Sequence, residues 1–549
     1  MTTVGVTDHF LALFKKPDGR SRIPIPGPEK RGMAPILLRS LAGVVRGKVG
    51  QFLCNAKVFV SLTILFAVAF TFAEALIIKN SSGGFSLYSV LWLIVFGYLI
   101  FNVAYMFVET IYIFFVPYVP LKEKYLDRIP KTAILYFVRG ESCGLHERMR
   151  YTLRSNFLSG VRLWIVSGQA KEAFLQYERD VQERLMEEFG DDRIGYFHSD
   201  NPAFKKREMM DRWLEEYGGL YEYFIPCDAD SMLPPGSVLK LLRKAEHPAN
   251  RGIAVFQSRI AIANAKTYFS KVQSYGIEIL GTYVAPMLQM VFGSTLSCGH
   301  NGLTRCRDFK RIRIPEKMLS HDIWDTAYLD RIGAKTALCK DVTTLEESPA
   351  NYVEEVKRSG RWAKGNLQTF RLLFERRISF SVKFNVFYGL HLYISQLVLL
   401  FWVISGIWIS KFEVWGSTLK LSVYLQLITM GILFLHKFTW CRGLREAKNV
   451  MVEIVFNTFI GLNNLFYVSV ALLSAPFGEL RWVPMKKNPY GSVDLPSLVR
   501  NLWASTLFGF LGILVGMVYA PRWAILSSPI LISFSLGIPF VYLSSKVVK

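Results

Sequence analysis

Apolar positions follow two patterns along this chain, and the change from one to the other divides it. Long unbroken apolar runs occupy 58–78, 85–116, 387–410, 419–435, 503–519 and 523–543. A helix needs about 20 apolar residues to cross a bilayer, so these runs predict about six spans. Over residues 119–383 the apolar runs are short and alternate with charged helical patterns. Residues 132–137, 162–166, 221–227 and 252–256 read as strands; 145–156, 170–189, 207–217 and 323–332 read as helices. Strands alternating with helices predict a mostly parallel sheet covered on both faces. Ligands of such sheets bind beyond the carboxyl ends of the strands.

One apolar stretch resists the simple reading. Residues 450–475 are hydrophobic enough to span but contain Glu453, Asn457, Asn463 and Asn464, and Arg481, Lys486 and Lys487 follow. Keeping those charges inside predicts an interfacial or re-entrant segment at 450–475 and a cytosolic loop at 476–500. The competing reading is a straight seventh span. The resulting plan is a basic cytosolic segment at 1–56 and two spans within 57–118. A soluble block at 119–383 and a membrane region at 384–549 complete it.

Charge sharpens the orientation. The 549 residues carry 65 Lys and Arg against 43 Asp and Glu, a net +22. Much of the excess precedes the first span (Lys15, Lys16, Arg20, Arg22, Lys30, Arg31, Arg39, Arg46, Lys48), which predicts both termini and the soluble block on the cytosolic side. The same charge suits anionic membrane lipids as partners. No basic run interleaves with aromatics in a soluble segment, so a nucleic-acid partner is not expected. No secretory leader is expected ahead of the first span. The seven cysteines form no Cys-x-x-Cys pair, which gives no sign of a zinc site or a disulfide framework.

Candidate chemistry begins where the 221–227 strand ends, at Asp228-Ala229-Asp230-Ser231. Two carboxylates at i and i+2 can share one hard divalent cation, which would share oxygens with substrate phosphates; a solvated turn is the alternative. Ser297-Cys298-Gly299-His300-Asn301-Gly302 offers close backbone approach and directional hydrogen bonds, or a polar turn. In Ser320-His321-Asp322, Asp322 suits a general base for an acceptor hydroxyl, or an acid that favours a helix start, with Ser320 as cap. Lys357-Arg358-Ser359-Gly360-Arg361-Trp362-Ala363-Lys364-Gly365-Asn366 could balance a diphosphate and offer a flat ring to a sugar. It could equally be an interfacial helix reaching lipid phosphates. Gly140-Glu141 could meet a nucleotide or be a loop.

The Asp228, Gly299-His300-Asn301, Ser320-His321-Asp322 and 357–366 motifs, in this order, resemble the membrane-integrated glycosyltransferase family 2 synthases, and within them the glucosyltransferase H branch of osmoregulated periplasmic glucan synthesis. The resemblance implies an α/β fold of nucleotide-diphospho-sugar transferase type (GT-A) set in a transmembrane helical bundle of the bacterial inner membrane. It implies a metal-dependent inverting hexosyltransferase that takes UDP-glucose as donor, uses Mg²⁺ or Mn²⁺, and extends and translocates a nascent β-glucan. By position, Asp228 and Asp230 match the metal and diphosphate motif, and Asp322 matches the catalytic base. Arg361 and Trp362 match the diphosphate and acceptor pair, Glu141 the acid of the first nucleotide loop, and Lys206 a family lysine. His300, Asn301 and His321 fall in the motifs that line the donor. Gly168 stands where the family places an Asp for the uracil, so the base of the donor is left open. A non-processive transferase acting on a lipid and a catalytically degenerate subunit remain as alternatives.

Overall fold

The computed structural model describes residues 52–82, 85–140, 144–168, 171–199, 205–263, 265–316, 318–412, 418–439, 441, 443–476, 491 and 493–548. The 1–51 segment, Glu141 and most of the 476–500 loop therefore lie outside the described residues.

Two long apolar helices come first, α1 (Ala56–Ser82) and α2 (Leu87–Phe115). Ser86 and Ser89 form a reciprocal cap at the start of α2 and satisfy amide groups that no helical carbonyl can reach. The α/β block follows as β1 (Thr132–Val138), α3 (Leu145–Ser155), β2 (Val161–Ser167), α4 (Glu172–Phe189), β3 (Ile194–His198), α5 (Lys206–Glu216), β4 (Tyr223–Asp228) and α6 (Ser237–Ala245). It continues with β5 (Ile253–Ala263), α7 (Tyr268–Ile279), α8 (Ala285–Phe292), β6 (Gly302–Arg305), α9 (His321–Arg331), β7 (Lys335–Glu347) and α10 (Tyr352–Gln368).

The seven strands form one sheet in the order β3-β2-β1-β4-β6-β5-β7. All pairings are parallel except those of β6, which runs antiparallel to β4 and β5. Strand alternation explains the two cores. Ile134 and Tyr136 of β1 pack with Met149 of α3, Leu185 of α4 and Leu241 of α6. Ala133 and Leu135 point the other way, toward Met210 and Trp213 of α5 and Leu329 of α9. A sheet buried on both faces needs apolar side chains at consecutive positions, which is why these strands read as continuous runs.

The C-terminal region consists of α11 (Phe380–Phe412), α12 (Thr418–Phe438), α13 (Leu444–Phe456), α14 (Leu462–Ser474), α15 (Leu495–Tyr519), α16 (Pro521–Ser535) and α17 (Gly537–Ser544). Among the described residues, five helices are long and apolar enough to cross a membrane: Ala56–Asn80, Leu87–Phe115, Phe380–Gly406, Leu444–Ser474 and Leu495–Tyr519. The α16–α17 pair, bent by 54°, makes up to six. The count agrees with the sequence reading, but its membership differs. The 450–475 stretch, expected at the interface, lies in the 31-residue run Leu444–Ser474, and 419–435 contributes only the shorter apolar stretch Leu427–Phe438. Three of the polar residues within this stretch find partners inside the protein. Glu453 pairs with Lys437 at 2.7 Å and accepts from Asn457; Asn463 donates to the Ser533 carbonyl. Internal pairing of this kind is what makes polar groups tolerable in a buried helix.

Candidate active site

Asp228 closes β4, and the turn after it is fastened from three sides. The Ser231 amide donates to the Asp228 carbonyl at 2.9 Å, and the Ser231 hydroxyl accepts from the Asp228 amide at 3.0 Å. Tyr136 on β1 donates to the Ser231 carbonyl, and Arg148 on α3 donates to the Ala229 carbonyl, both at 2.8 Å. Met232 pairs with Leu345 of β7 through both backbone bonds. The two acids therefore stand on a fixed turn beyond the sheet. Asp228 is partly open to solvent and Asp230 is nearly buried.

Lys206, the first residue of α5, ties this turn to the Gly-His-Asn loop. Its ammonium pairs with Asp228 and donates to the Gly299 carbonyl at 2.9 Å. The loop itself is held by Gln257, whose side-chain oxygen accepts from the Cys298 amide at 2.9 Å. His300 Nδ1 donates to the Cys298 carbonyl at 2.8 Å, and Nε2 meets Glu346 at 2.6 Å. Both ring nitrogens thus face acceptors, which favours the doubly protonated form. Burial alone would lower the His300 pKa, but the charges of Asp228 and Glu346 outweigh it and lift the value to about 9, against opposition from Lys206.

The backbone of Asn301 shapes this loop. It is fully buried, with φ of 57°. Its amide donates to the Pro226 carbonyl at 2.7 Å, and its carbonyl accepts from Ser258 at 2.6 Å. Asparagine tolerates the left-handed region better than most residues, which accounts for its presence in this turn.

Gly299, at φ 73°, permits the next approach. A Cβ there would stand 3.0 Å from Asp322 Cβ and 3.1 Å from His321 Cε1. His321 and Asp322 open α9. His321 Nδ1 pairs with Asp325 at 2.9 Å, and Asp325 pairs with Arg207 at 2.8 Å. Consecutive residues of α5 thus hold two different motifs, Lys206 the acid pair and Arg207 the Asp322 helix. Desolvation raises the Asp322 pKa, with Asp325 adding to it, while His321 and the first-turn amides oppose. Ser320 makes no side-chain cap. It packs against Gly365, where a Cβ would come within 3.1 Å of Ser320 Cβ. That glycine is what lets α10 lie against the start of α9.

On α10, Lys357 pairs with Glu354 at 2.7 Å and Arg358 with Glu355 at 2.6 Å. These pairs neutralise the first two cations of the basic motif. Arg361 is largely desolvated, which lowers its pKa; Arg358 lowers it further and Asp228 opposes. Trp362 is 47% exposed, with the Arg358 guanidinium 4.6 Å from its ring centroid. The other side of α10 packs on α14, with Ala363 against Val468 and Leu472.

The sequence reading missed the end of β7. Glu346 and Glu347 are adjacent, so their side chains point to opposite faces of the strand. Glu346 holds His300, while Glu347 pairs with the buried Arg148 at 3.1 Å. Two consecutive acids at the end of an apolar strand were the available signal. Glu346→Gln is expected to lower the His300 pKa from about 9 toward its ordinary 6.5, read by NMR titration of the ring. Because the folded-state value is raised, His300 contributes stability below about pH 6.5, and the contribution fades as pH rises through about 9. The variant should lose it at lower pH.

Among the described residues, no group of three or more His, Cys, Asp or Glu side chains is arranged to hold a metal. Asp228 and Asp230 supply two hard oxygen donors, a set that fits Mg²⁺ or Mn²⁺ completed by phosphate oxygens. The Lys206 ammonium on Asp228 shows that this position stabilises positive charge.

Residues 223–441 match the family model described as "Glycosyl transferase family group 2". The chain is similar to glucans biosynthesis glucosyltransferase H of Rhodopseudomonas palustris (strain ATCC BAA-98 / CGA009), at 23% identity over 65% of this chain and 55% of the relative. The protein of that name from Xanthomonas oryzae pv. oryzae is 23% identical over 70% and 66%, and that from Vibrio cholerae (El Tor Inaba N16961) 25% over 62% and 53%. The aligned part thus spans roughly half to two thirds of each relative. Among solved structures, a mannosyltransferase from Pyrobaculum calidifontis in complex with GDP-Man and Mn²⁺ aligns at TM-score 0.46 and 10% identity. It covers 74% of this chain and 99% of that one, too loosely to carry an argument.

Proposed function

Starting from a chain that carries a family group 2 glycosyl transferase domain among helices long enough to cross a membrane, we propose that it is an inverting, processive β-glucan synthase of the bacterial inner membrane. In this reading the domain faces the cytosol and takes glucose from UDP-glucose. Glucose and glucan come from the names of the similar proteins. The observation that carries the chemistry is the convergence of four motifs, distant in sequence, beyond β4. Lys206 joins Asp228 to Gly299, Gly299 abuts Asp322, and Gly365 seats the Arg361 helix on Ser320.

Asp228 and Asp230 would hold Mg²⁺ or Mn²⁺, which neutralises charge on a diphosphate when bound. Asp322, as carboxylate, takes the proton of the acceptor hydroxyl. The acceptor oxygen bonds to the anomeric carbon as the bond from that carbon to the diphosphate oxygen breaks, which inverts the centre. Arg361, Lys206 and protonated His300 face the leaving diphosphate and stabilise its charge. Trp362 offers its exposed ring to the acceptor sugar. The raised pKa of Asp322 makes it a stronger base than an ordinary aspartate and shifts the acid limb of activity upward.

The test is the product of the full chain in lipid supplied with UDP-[¹⁴C]glucose. β-linked polymer that grows while most acceptors stay unextended supports processive synthesis. A single glucose on a lipid would replace the polymerase with a lipid glucosyltransferase.

A further inference from the structure

An arginine-lined cavity lies away from the acid pair, where the α/β block meets the membrane helices. It has a volume of about 570 Å³ and is lined by Arg331 at the end of α9 and by Arg371, Phe374, Glu375, Arg376 and Arg377 between α10 and α11. Glu375 is the one acid among these lining residues, and it sits 3.8 Å from Arg331. The lining therefore holds a strong excess of positive charge. Arginine forks suit phosphate oxygens better than any other side chain.

Two further observations indicate which phosphate. The candidate span Phe380–Gly406 starts directly after Arg376 and Arg377, so the cavity lies where headgroups would be. Phe370, Phe374 and Phe380 are exposed beside it, Phe374 at 71%. A soluble anion gives no reason for exposed aromatics here, whereas the acyl boundary does. The approach to the span is also fixed. Asp330 accepts from the Ser379 amide at 2.6 Å and from its hydroxyl at 3.0 Å, and Arg377 holds φ of 64°, uncommon for a residue with a Cβ. The arginines are thus presented on a defined turn.

We propose that this cavity binds the phosphate headgroup of an anionic phospholipid, with the three phenylalanines against the acyl boundary. The test uses the full chain in detergent micelles containing phosphatidylglycerol or phosphatidylcholine, with bound lipid counted by native mass spectrometry. Wild type should retain phosphatidylglycerol in preference to phosphatidylcholine. Arg371→Gln with Arg376→Gln should weaken that retention roughly tenfold, while the Arg→Lys pair, which keeps the charge but not the fork, should weaken it less. Soluble glycerol phosphate should not displace the lipid. Equal retention of the two lipids, no effect of the Gln pair, or an equal loss in the charge-preserving Lys pair would overturn the proposal. Displacement by glycerol phosphate would also overturn it and assign the cavity to a soluble phosphate.

Discussion

Asp322→Asn should leave donor binding near wild type and lower turnover by about 100- to 10,000-fold, the range a general base contributes. The substitution keeps the shape of the side chain where α9 meets Gly299, so the fold has little to accommodate. It removes the only function the carboxylate has in this account, which is to take the acceptor's proton. Desolvation already disfavours the charged carboxylate, so a neutral amide at this position is expected to be tolerated. The discriminating readout is kcat against KM. A base lost from the transition state lowers kcat with KM for UDP-glucose little changed. A merely structural Asp322 would reduce the fraction of folded protein instead, with kcat per active site preserved.

Asp228→Asn should act on the other end of the donor. It removes one of the two carboxylates on the turn and the partner of Lys206. It also removes an attraction that opposes the loss of charge on Arg361 and supports protonated His300. One substitution thus weakens the cation site and the nearby basic groups together. A fall of about 100-fold or more in kcat/KM is expected, on the scale of deleting one electrostatic contact to the leaving group. The signature is cation dependence: the variant should need more Mg²⁺ or Mn²⁺ to reach half-maximal rate. An unchanged cation requirement would remove Asp228 from the proposed ligand set.

The contrast between these residues and the ones the sequence hid has a physical origin. β4 was readable because burial on both faces demands an unbroken apolar run, and because acids at its end break that run abruptly. α1 and α2 were readable because a bilayer imposes length and hydrophobicity at once. β7 was not, since Lys335, Lys340, Asp341 and three threonines interrupt its apolar pattern. Its Glu346 and Glu347 pair with residues far away in sequence, His300 and Arg148. The left-handed backbone of Asn301 was not legible either, because residue type alone does not give a backbone angle. The partners of Asn463 and Glu453, Ser533 and Lys437, were likewise hidden in the sequence. Hydropathy sees the polar group and not the bond that satisfies it.

In the proposed reaction Asp228, Arg361 and Asp322 enclose a sugar attached to a nucleoside diphosphate. This arrangement is tested most directly by UDP release from purified full-length chain in lipid, given UDP-glucose with Mg²⁺ or Mn²⁺, beside Asp322→Asn. Sustained release by wild type and release near background by the variant are expected. Equal release from both proteins, or none from wild type with any nucleotide sugar, would contradict the proposed reaction.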